Sequence, residues 1–239
     1  RASKMVSLGT LVSGVAHEIN NPVTSALLNT QTLRKVWNSV LPILDERTRN
    51  DGDFKVGAMS YSEIRERMPM LLSHIEEGTR RVRDIVADLK DFARETPTER
   101  SDNINVNEIV VKAVGLVSNL IKKSTNHFSV DCIPNPPVFK GSAQRIEQVV
   151  INLVMNACQA LADSERAVRV RTGIDPDKAR VFVEVEDEGI GIQPEVKQHI
   201  KDPFYTTKRD AGGTGLGLAI SDRIVRDHDG EMTFISEQG

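Results

Sequence analysis

The sequence predicts two parts of different architecture: an α-helical hairpin that forms a dimeric four-helix bundle with a second copy, followed by an α/β sandwich. Three observations predict this. Apolar residues recur at steps of three and four over much of the first 97 residues. The charged stretch "ARETPTERSDN", with Pro97 inside it, then ends that pattern. Beyond it, helical stretches alternate with short strands of alternating polarity. A chain of 239 residues with 39% hydrophobic content is long enough for two modest domains, placed here at residues 1–97 and 98–239.

In the first helix the apolar positions are Met5, Leu8, Val12, Val15 and Ile19, resuming at Ala26, Leu33, Trp37 and Val40. The polar run "DERTRNDGDFKVG", with two glycines, reads as the hairpin loop. The second helix carries Ile64, Met68, Leu71, Ile75, a gap at Gly78, then Val82, Ile85, Leu89 and Phe92, a coiled-coil seam. One hairpin with so narrow a seam has too little core to stand alone, hence the expected dimer. In the second part, "NEIVVKAVGLVSNLI" is a helix capped by Asn107, and "HFSVDCI" and "PPVFKG" are short strands. "SAQRIEQVVINLVMNACQAL" is a long helix capped by Ser142. Strands "AVRVRT" and "ARVFVEVED" flank a turn at Asp175, Pro176 and Asp177, "GLGLAISDRIVRDH" is a helix and "EMTFIS" a last strand.

Charge excludes one class of partner. The 31 basic and 34 acidic residues are mixed along the chain and leave a net charge of −3, so general nucleic-acid binding has no footing. Cys132 and Cys158 lack metal-type spacing and read as reduced thiols. No apolar run approaches the ~20 residues that span a bilayer, and the opening "RASKMVSLGT" lacks the form of a signal peptide. No membrane contact is expected of this stretch. It starts without Met, inside a helical pattern, and reads as an excerpt of something longer, cytoplasmic in itself or as the cytoplasmic part of a membrane-bound sensor.

Four clusters carry chemistry. On a helix turning about 100° per residue, His17 points away from the stripe of Leu8, Val12, Val15 and Ile19, with Glu18 beside it and Asn21 one turn later on the same side. A neutral imidazole can attack an electrophile while a carboxylate orients it and takes its proton. Pro22 is expected to bend the helix below this patch. In "EQVVINLVMNACQAL", Glu147, Asn152 and Asn156 share one helix, the two asparagines share one face, and amide oxygens are hard ligands that suit Mg²⁺. In "VEDEGIGI" a strand ends at Asp187, which can accept the exocyclic amine of adenine, and Gly189 and Gly191 let backbone approach a flat ligand. In "GGTGLGLAIS", Gly212, Gly213, Gly215 and Gly217 precede a helix whose N-terminal amides can take a phosphate. The pattern is neither a dinucleotide fingerprint nor a P-loop. The preceding "KDPFYTTKRDAGG" is polar, with Phe204 as an apolar anchor and Lys208 able to reach a polyphosphate. Taken singly, each cluster has a plain structural reading as surface histidine, incidental kink, surface amides, turn glycines or solvated lysine.

In this order and spacing the clusters resemble the sensor histidine kinases of two-component signalling. "HEINNP" is similar to the family's phosphoacceptor box, "NLVMNACQAL" to its N box, "DEGIGI" to its first glycine box, "DPFYTT" to its F box and "GTGLGL" to its second glycine box. The resemblance implies a dimerisation and histidine-phosphotransfer hairpin followed by a Bergerat (GHKL) type ATP-binding domain. It implies that His17 takes the γ-phosphoryl group of ATP, that Glu18 is its base, and that Asn21 helps position water when a response regulator is dephosphorylated. It implies Mg²⁺ ligation by Asn156 with Asn152 as a second metal or phosphate contact, adenine reading by Asp187, and a nucleotide wall at Gly189 and Gly191. Gly213, Gly215 and Gly217, with Leu216 between them, would form the hinge of a lid over ATP, flanked by Phe204 and Lys208. Many relatives carry a basic residue where this chain has Gln159, which shifts phosphate neutralisation toward Lys208 or Arg209. The implied activity is ATP-dependent autophosphorylation on histidine and transfer to an aspartate of a response regulator. Two other readings are an ATPase of the gyrase or chaperone type, whose members place a water-activating Glu where this chain has Asn152, and a non-catalytic signalling scaffold.

Overall fold

The computed structural model describes residues 2–93, 102–175, 180–208 and 213–237, with side chains of the first helix described from Val15 and those of the second through Lys90. The chain divides into two compact units, Arg1–Glu95 and Thr96–Gly239. The predicted helix end at Pro97 lies outside the described residues.

The first unit is a hairpin of α1 (Ala2–Asp51) and α2 (Tyr61–Ala93). Its internal seam follows a seven-residue repeat, with Ala16, Val23 and Thr30 buried on α1 and Leu72 and Val86 on α2. Partway along, Arg34 donates to Glu76 (3.2 Å) and to the Ser73 hydroxyl (3.3 Å), so a charged pair sits among the apolar layers. The expected seam on α2 holds only in part: Ile64, Met68 and Leu89 are half-buried, whereas Leu71, Ile75, Val82 and Ile85 face outward, as do Val15 and Leu33 on α1. The hairpin therefore carries two apolar stripes, because heptad spacing marks which residues are apolar and not which of two partners they meet. Pro22 does not interrupt α1, which also runs through Pro42, and α2 runs through Pro69.

Most of the predicted loop is helix. α1 continues to Asp51 and stops where Gly52 turns left-handed (φ 82°) and donates its N–H to Thr48 O (3.0 Å), a glycine C-cap. The connection holds a two-stranded hairpin, β1 (Lys55–Val56) and β2 (Met59–Ser60). A small polar and aromatic core braces this tip. Asp45 accepts from the Tyr61 hydroxyl (2.6 Å) and from Arg65 (2.8 Å), and Phe54 stacks on Tyr61 at 5.3 Å. The Arg65 and Tyr61 hydrogen bonds hold the Asp45 carboxyl below the usual range.

The second unit contains β3 (Asp102–Ile104), α3 (Val106–Leu116), α4 (Ser118–Ser124), β4 (His127–Asp131) and β5 (Phe139–Gly141). It continues with α5 (Ala143–Ala160), β6 (Ala167–Asp175), β7 (Arg180–Asp187), α6 (Pro194–Lys197) and α7 (Gly217–Asp227). β4 pairs parallel with β6, β6 antiparallel with β7, and β3 antiparallel with β5 in a separate ladder. On β6 the alternation sends Val168, Val170 and Thr172 inward. Arg169 and Arg171 lie on the other face and pair with Asp131, Glu184 and Glu186. α3, α4 and α5 cover the apolar face around Val110, Ala113, Val150 and Val154.

Four local expectations change. The cap of α3 is Asn105, whose side chain accepts from Asn107 N (3.0 Å), and Asn107 is a strut that donates to Ile133 O (2.8 Å) and accepts from Thr172 Oγ1 (2.7 Å). The helix predicted there breaks at Val117 (φ −103°, ψ 12°), two residues after Gly115, whose helix propensity is poor. Residues 231–237 form no strand, since a strand needs a ladder partner and β7 pairs only with β6 among the described residues. Ser142 holds the N-cap position of α5 but makes no side-chain cap; its N–H donates to His228 Nε2 (3.0 Å).

Replacing Asn107 with Ala should therefore cost about 1–3 kcal/mol, because it strips the buried Thr172 hydroxyl and the Ile133 carbonyl of a partner. Asn105→Ala, which removes only a cap, should cost about 1 kcal/mol. Urea unfolding of both variants checks the order, which reverses if Asn107 is the cap.

Candidate functional site

α5 is the platform of the second unit's site. Val149, Val150, Val154 and Ala157 are buried against the core, which leaves Asn152 and Asn156 on the side that meets α7. Asn152 donates from Nδ2 to Ser221 Oγ (2.9 Å), and its Oδ1 is 3.5 Å from Asn156 Nδ2. α7 reaches this close because it starts with glycine: a Cβ on Gly217 would stand 2.5 Å from Asn152 Oδ1. Ser221, 1% exposed, is a site residue that the sequence reading missed; a serine on the inner face of an amphipathic helix is the signal for it. Glu147, on the same helix as the asparagines, is engaged by Lys112 at 2.7 Å.

Asp187 ends β7 with an exposed carboxylate whose Oδ1 accepts from Gly189 N (2.9 Å). The turn that follows lies against the end of α5, where Ile190 N donates to Ala160 O (3.0 Å). A Cβ on Gly189 would come within 2.7 Å of that carbonyl, and Gly191 has φ 70°. Both glycines of this turn are thus required by backbone geometry.

The loop before α7 closes on itself. Phe204 N donates to Gly215 O (2.9 Å), Lys208 N to Thr206 Oγ1 (3.0 Å) and Gly213 N to Lys208 O (2.9 Å). Burial lowers the Lys208 ammonium below the usual lysine range while the Asp187 charge acts in the opposite direction, so the two share one neighbourhood. Phe204 is not the buried anchor that its loop position predicts: it is 53% exposed and left-handed (φ 67°). The Leu216 side chain is fully buried and belongs to the core; its N–H donates to Thr214 Oγ1 (3.2 Å). Arg209 and Gly212 lie outside the described residues.

In the first unit, His17, Glu18 and Asn21 are all exposed on α1 beside the buried Ala16. Val15, expected on the buried stripe, is 47% exposed, and Leu8 and Val12 lie outside the described side chains. The seam is made by Ala16 and Val23, and His17 stays in solvent beside it.

Residues 141–239 match a family described as histidine kinase-, DNA gyrase B- and HSP90-like ATPases. A sensor protein of Shewanella frigidimarina is 31% identical over 238 residues, which are 100% of this chain and 36% of that protein. The signal transduction histidine-protein kinase AtoS of Escherichia coli is 27% identical over 239 residues, 100% of this chain and 34% of that one. Over its whole length this chain is similar to sensor histidine kinases, and its second unit carries the match to their ATPase family. It spans 36% and 34% of the length of these two relatives. Among solved structures, the histidine kinase ThkA in complex with the response regulator protein TrrA shares the fold, with a TM-score of 0.58 and 23% identity over 96% of this chain and 58% of that one.

Gly215 combines two constraints, a φ of 69° and a Cβ position 2.6 Å from the Phe204 carbonyl carbon. Gly215→Ala should cost about 1–3 kcal/mol in urea unfolding. An unchanged midpoint would show that the loop is free to move away from Phe204.

Proposed function

We propose that this chain uses ATP to phosphorylate His17 and passes the phosphoryl group to an aspartate of a response regulator. Residues 1–97 act as the dimerisation and phosphotransfer domain and 98–239 as the ATP-binding domain. The carrying observation is one chain that displays an exposed His17, Glu18 and Asn21 on a helix and also holds Asn152, Asn156, Asp187 and close-packed glycines in a fold of the ATPase family.

Each residue has a role that its setting supports. The Asp187 carboxylate, held on one oxygen by Gly189 N–H, accepts the adenine amine with the other. The glycines of 189–191 let the base lie against backbone. With Nδ2 of Asn156 turned to Asn152, its Oδ1 remains as a hard oxygen ligand, and the pair fits Mg²⁺, which prefers few protein oxygens together with phosphates. Bound there, Mg²⁺ supplies charge neutralisation for the triphosphate. Lys208, partly desolvated, adds a cation on the lid side. In transfer, a ring nitrogen of His17 forms a bond to the γ-phosphorus, the bond to the bridging oxygen breaks, ADP leaves, and Glu18 takes the imidazole proton. Asn21, which can hydrogen-bond water without acting as a base, serves dephosphorylation of the regulator. The relatives bearing the names sensor and histidine-protein kinase, and the response regulator bound to ThkA, support this assignment over a gyrase-type ATPase. Among the described residues no helix is long and apolar enough to cross a membrane, which suits the cytoplasmic part of a larger sensor.

The hairpin works as a homodimer. Leu71 (53% exposed), Ile75 (49%), Val82 and Ile85 form an apolar stripe along α2 that the chain itself leaves uncovered, and a second hairpin would bury it as a four-helix bundle. Ile75→Lys should convert a dimer to a monomer in sedimentation velocity without unfolding the second unit. A monomeric parent chain, or a variant that stays dimeric, refutes this mode of pairing.

Incubation with γ-labelled ATP tests the main proposal. The parent chain should acquire acid-labile label and His17→Gln none, with ATP affinity unchanged within about twofold, because the exposed ring supports neither core nor nucleotide site. Asn156→Asp should lose both label and Mg-ATP affinity, since it adds charge beside the triphosphate. Label retained in His17→Gln removes His17 as acceptor.

A further inference from the structure

Lys201 stands three residues before Phe204, and its ammonium joins three separate stretches of the second unit. Nζ lies 2.8 Å from Asp222 Oδ1 on α7, donates to Met232 O at 2.5 Å, and sits 5.6 Å from the centre of the Phe234 ring. Asp222 is buried and has Arg226 as its second partner at 2.5 Å. A lysine between two turns ordinarily reads as surface. This one is the polar centre of a junction between the loop that carries Phe204, the helix α7, and residues 231–237.

The junction adjoins contacts that shape the site. Asp222 follows Ser221, which receives the Asn152 amide, and the same helix starts at Gly217 against Asn152. Phe204 keeps a left-handed backbone (φ 67°) with its N–H on Gly215 O, a conformation that an aromatic residue holds only where its surroundings impose it. The Lys201–Asp222 ion pair ties the chain just before Phe204 to α7, which starts two residues after Gly215. The wall at Asp187 and Gly189 is held mainly by β7 and by the Ala160 carbonyl at the end of α5, and meets the 231–237 stretch only beyond Gly191, where Ile192 N donates to Ser236 Oγ (2.9 Å).

We infer that the Lys201–Asp222 ion pair positions the phosphate side of the nucleotide site, with Lys201 a positioning residue that holds the Phe204–Gly215 contact in register with Asn152. The inference rests on the reading of this site as ATP-binding. Lys201→Met removes the ammonium with its bonds to Asp222 and to Met232 O: the aliphatic stem stays, and Asp222 keeps Arg226, so no buried carboxylate is stranded.

The test measures Mg-ATP and adenosine binding to the 239-residue chain by titration calorimetry, with thermal unfolding recorded for each variant. Lys201→Met should weaken ATP about tenfold through lost pre-organisation, leave adenosine within about twofold, and Lys201→Arg should restore most of the ATP affinity. A merely structural lysine would weaken both ligands alike or neither. ATP affinity unchanged in Lys201→Met, equal losses for ATP and adenosine, or no rescue by arginine each overturns the inference. Should Lys201→Met fail to fold, Lys201→Gln, which retains an N–H donor, is judged by the same criteria. Failure of the parent chain to bind ATP would instead overturn the nucleotide reading itself, so the two failures are told apart.

Discussion

The contact between Gly217 and Asn152 is the constraint on which the second unit's site depends. α5 must be apolar where it meets the core at Val150 and Val154, yet it presents the Asn152 and Asn156 amides about 120–160° further round the helix. Those amides keep a defined direction only because α7 packs close enough for Ser221 to accept from Asn152. A side chain on Gly217 would force the helices apart or displace the amide. The same approach brings the start of α7 to the asparagine side, and the glycine turn after Asp187 closes on the C-terminal end of α5 at Ala160. The middle and the C-terminal end of one helix thus carry the candidate site groups, and its core packing fixes the distance between them.

The first unit follows a different economy. Its internal seam is narrow and includes Thr30 and the Arg34–Glu76 pair, while a second apolar stripe remains outside. Exposed pairs contribute little, and a charged pair between helices serves register more readily than stability. A hairpin built this way gains most from a partner that covers the outer stripe, and His17 is exposed on α1 beside the inner seam.

The glycines at 189, 191, 215 and 217 were legible because each is tied to a turn or a close approach, and a linear pattern retains such punctuation. The outward placement of His17 was legible from helical period, although Val15, used to define the buried stripe, faces solvent. What the sequence could not show were facts set by tertiary neighbours. Which seam meets which helix depends on the partner, so Leu71 and Leu72 could not be told apart. Asn105 and Asn107 both suit a cap, and the choice was made by Thr172 and Ile133 at the far side of the fold. "EMTFIS" has strand composition but no ladder partner among the described residues. Lys201 and Ser221 carried no motif at all, because their roles come from what folds around them.

The central claim is that a histidine, and not water, receives the phosphoryl group in this chain. A phosphorus NMR spectrum of the chain after incubation with Mg-ATP tests that most directly. The account predicts ADP together with a protein-bound phosphoramidate resonance that is stable in base and disappears in acid. ADP with inorganic phosphate alone, and no protein-bound phosphorus at any time, would contradict it.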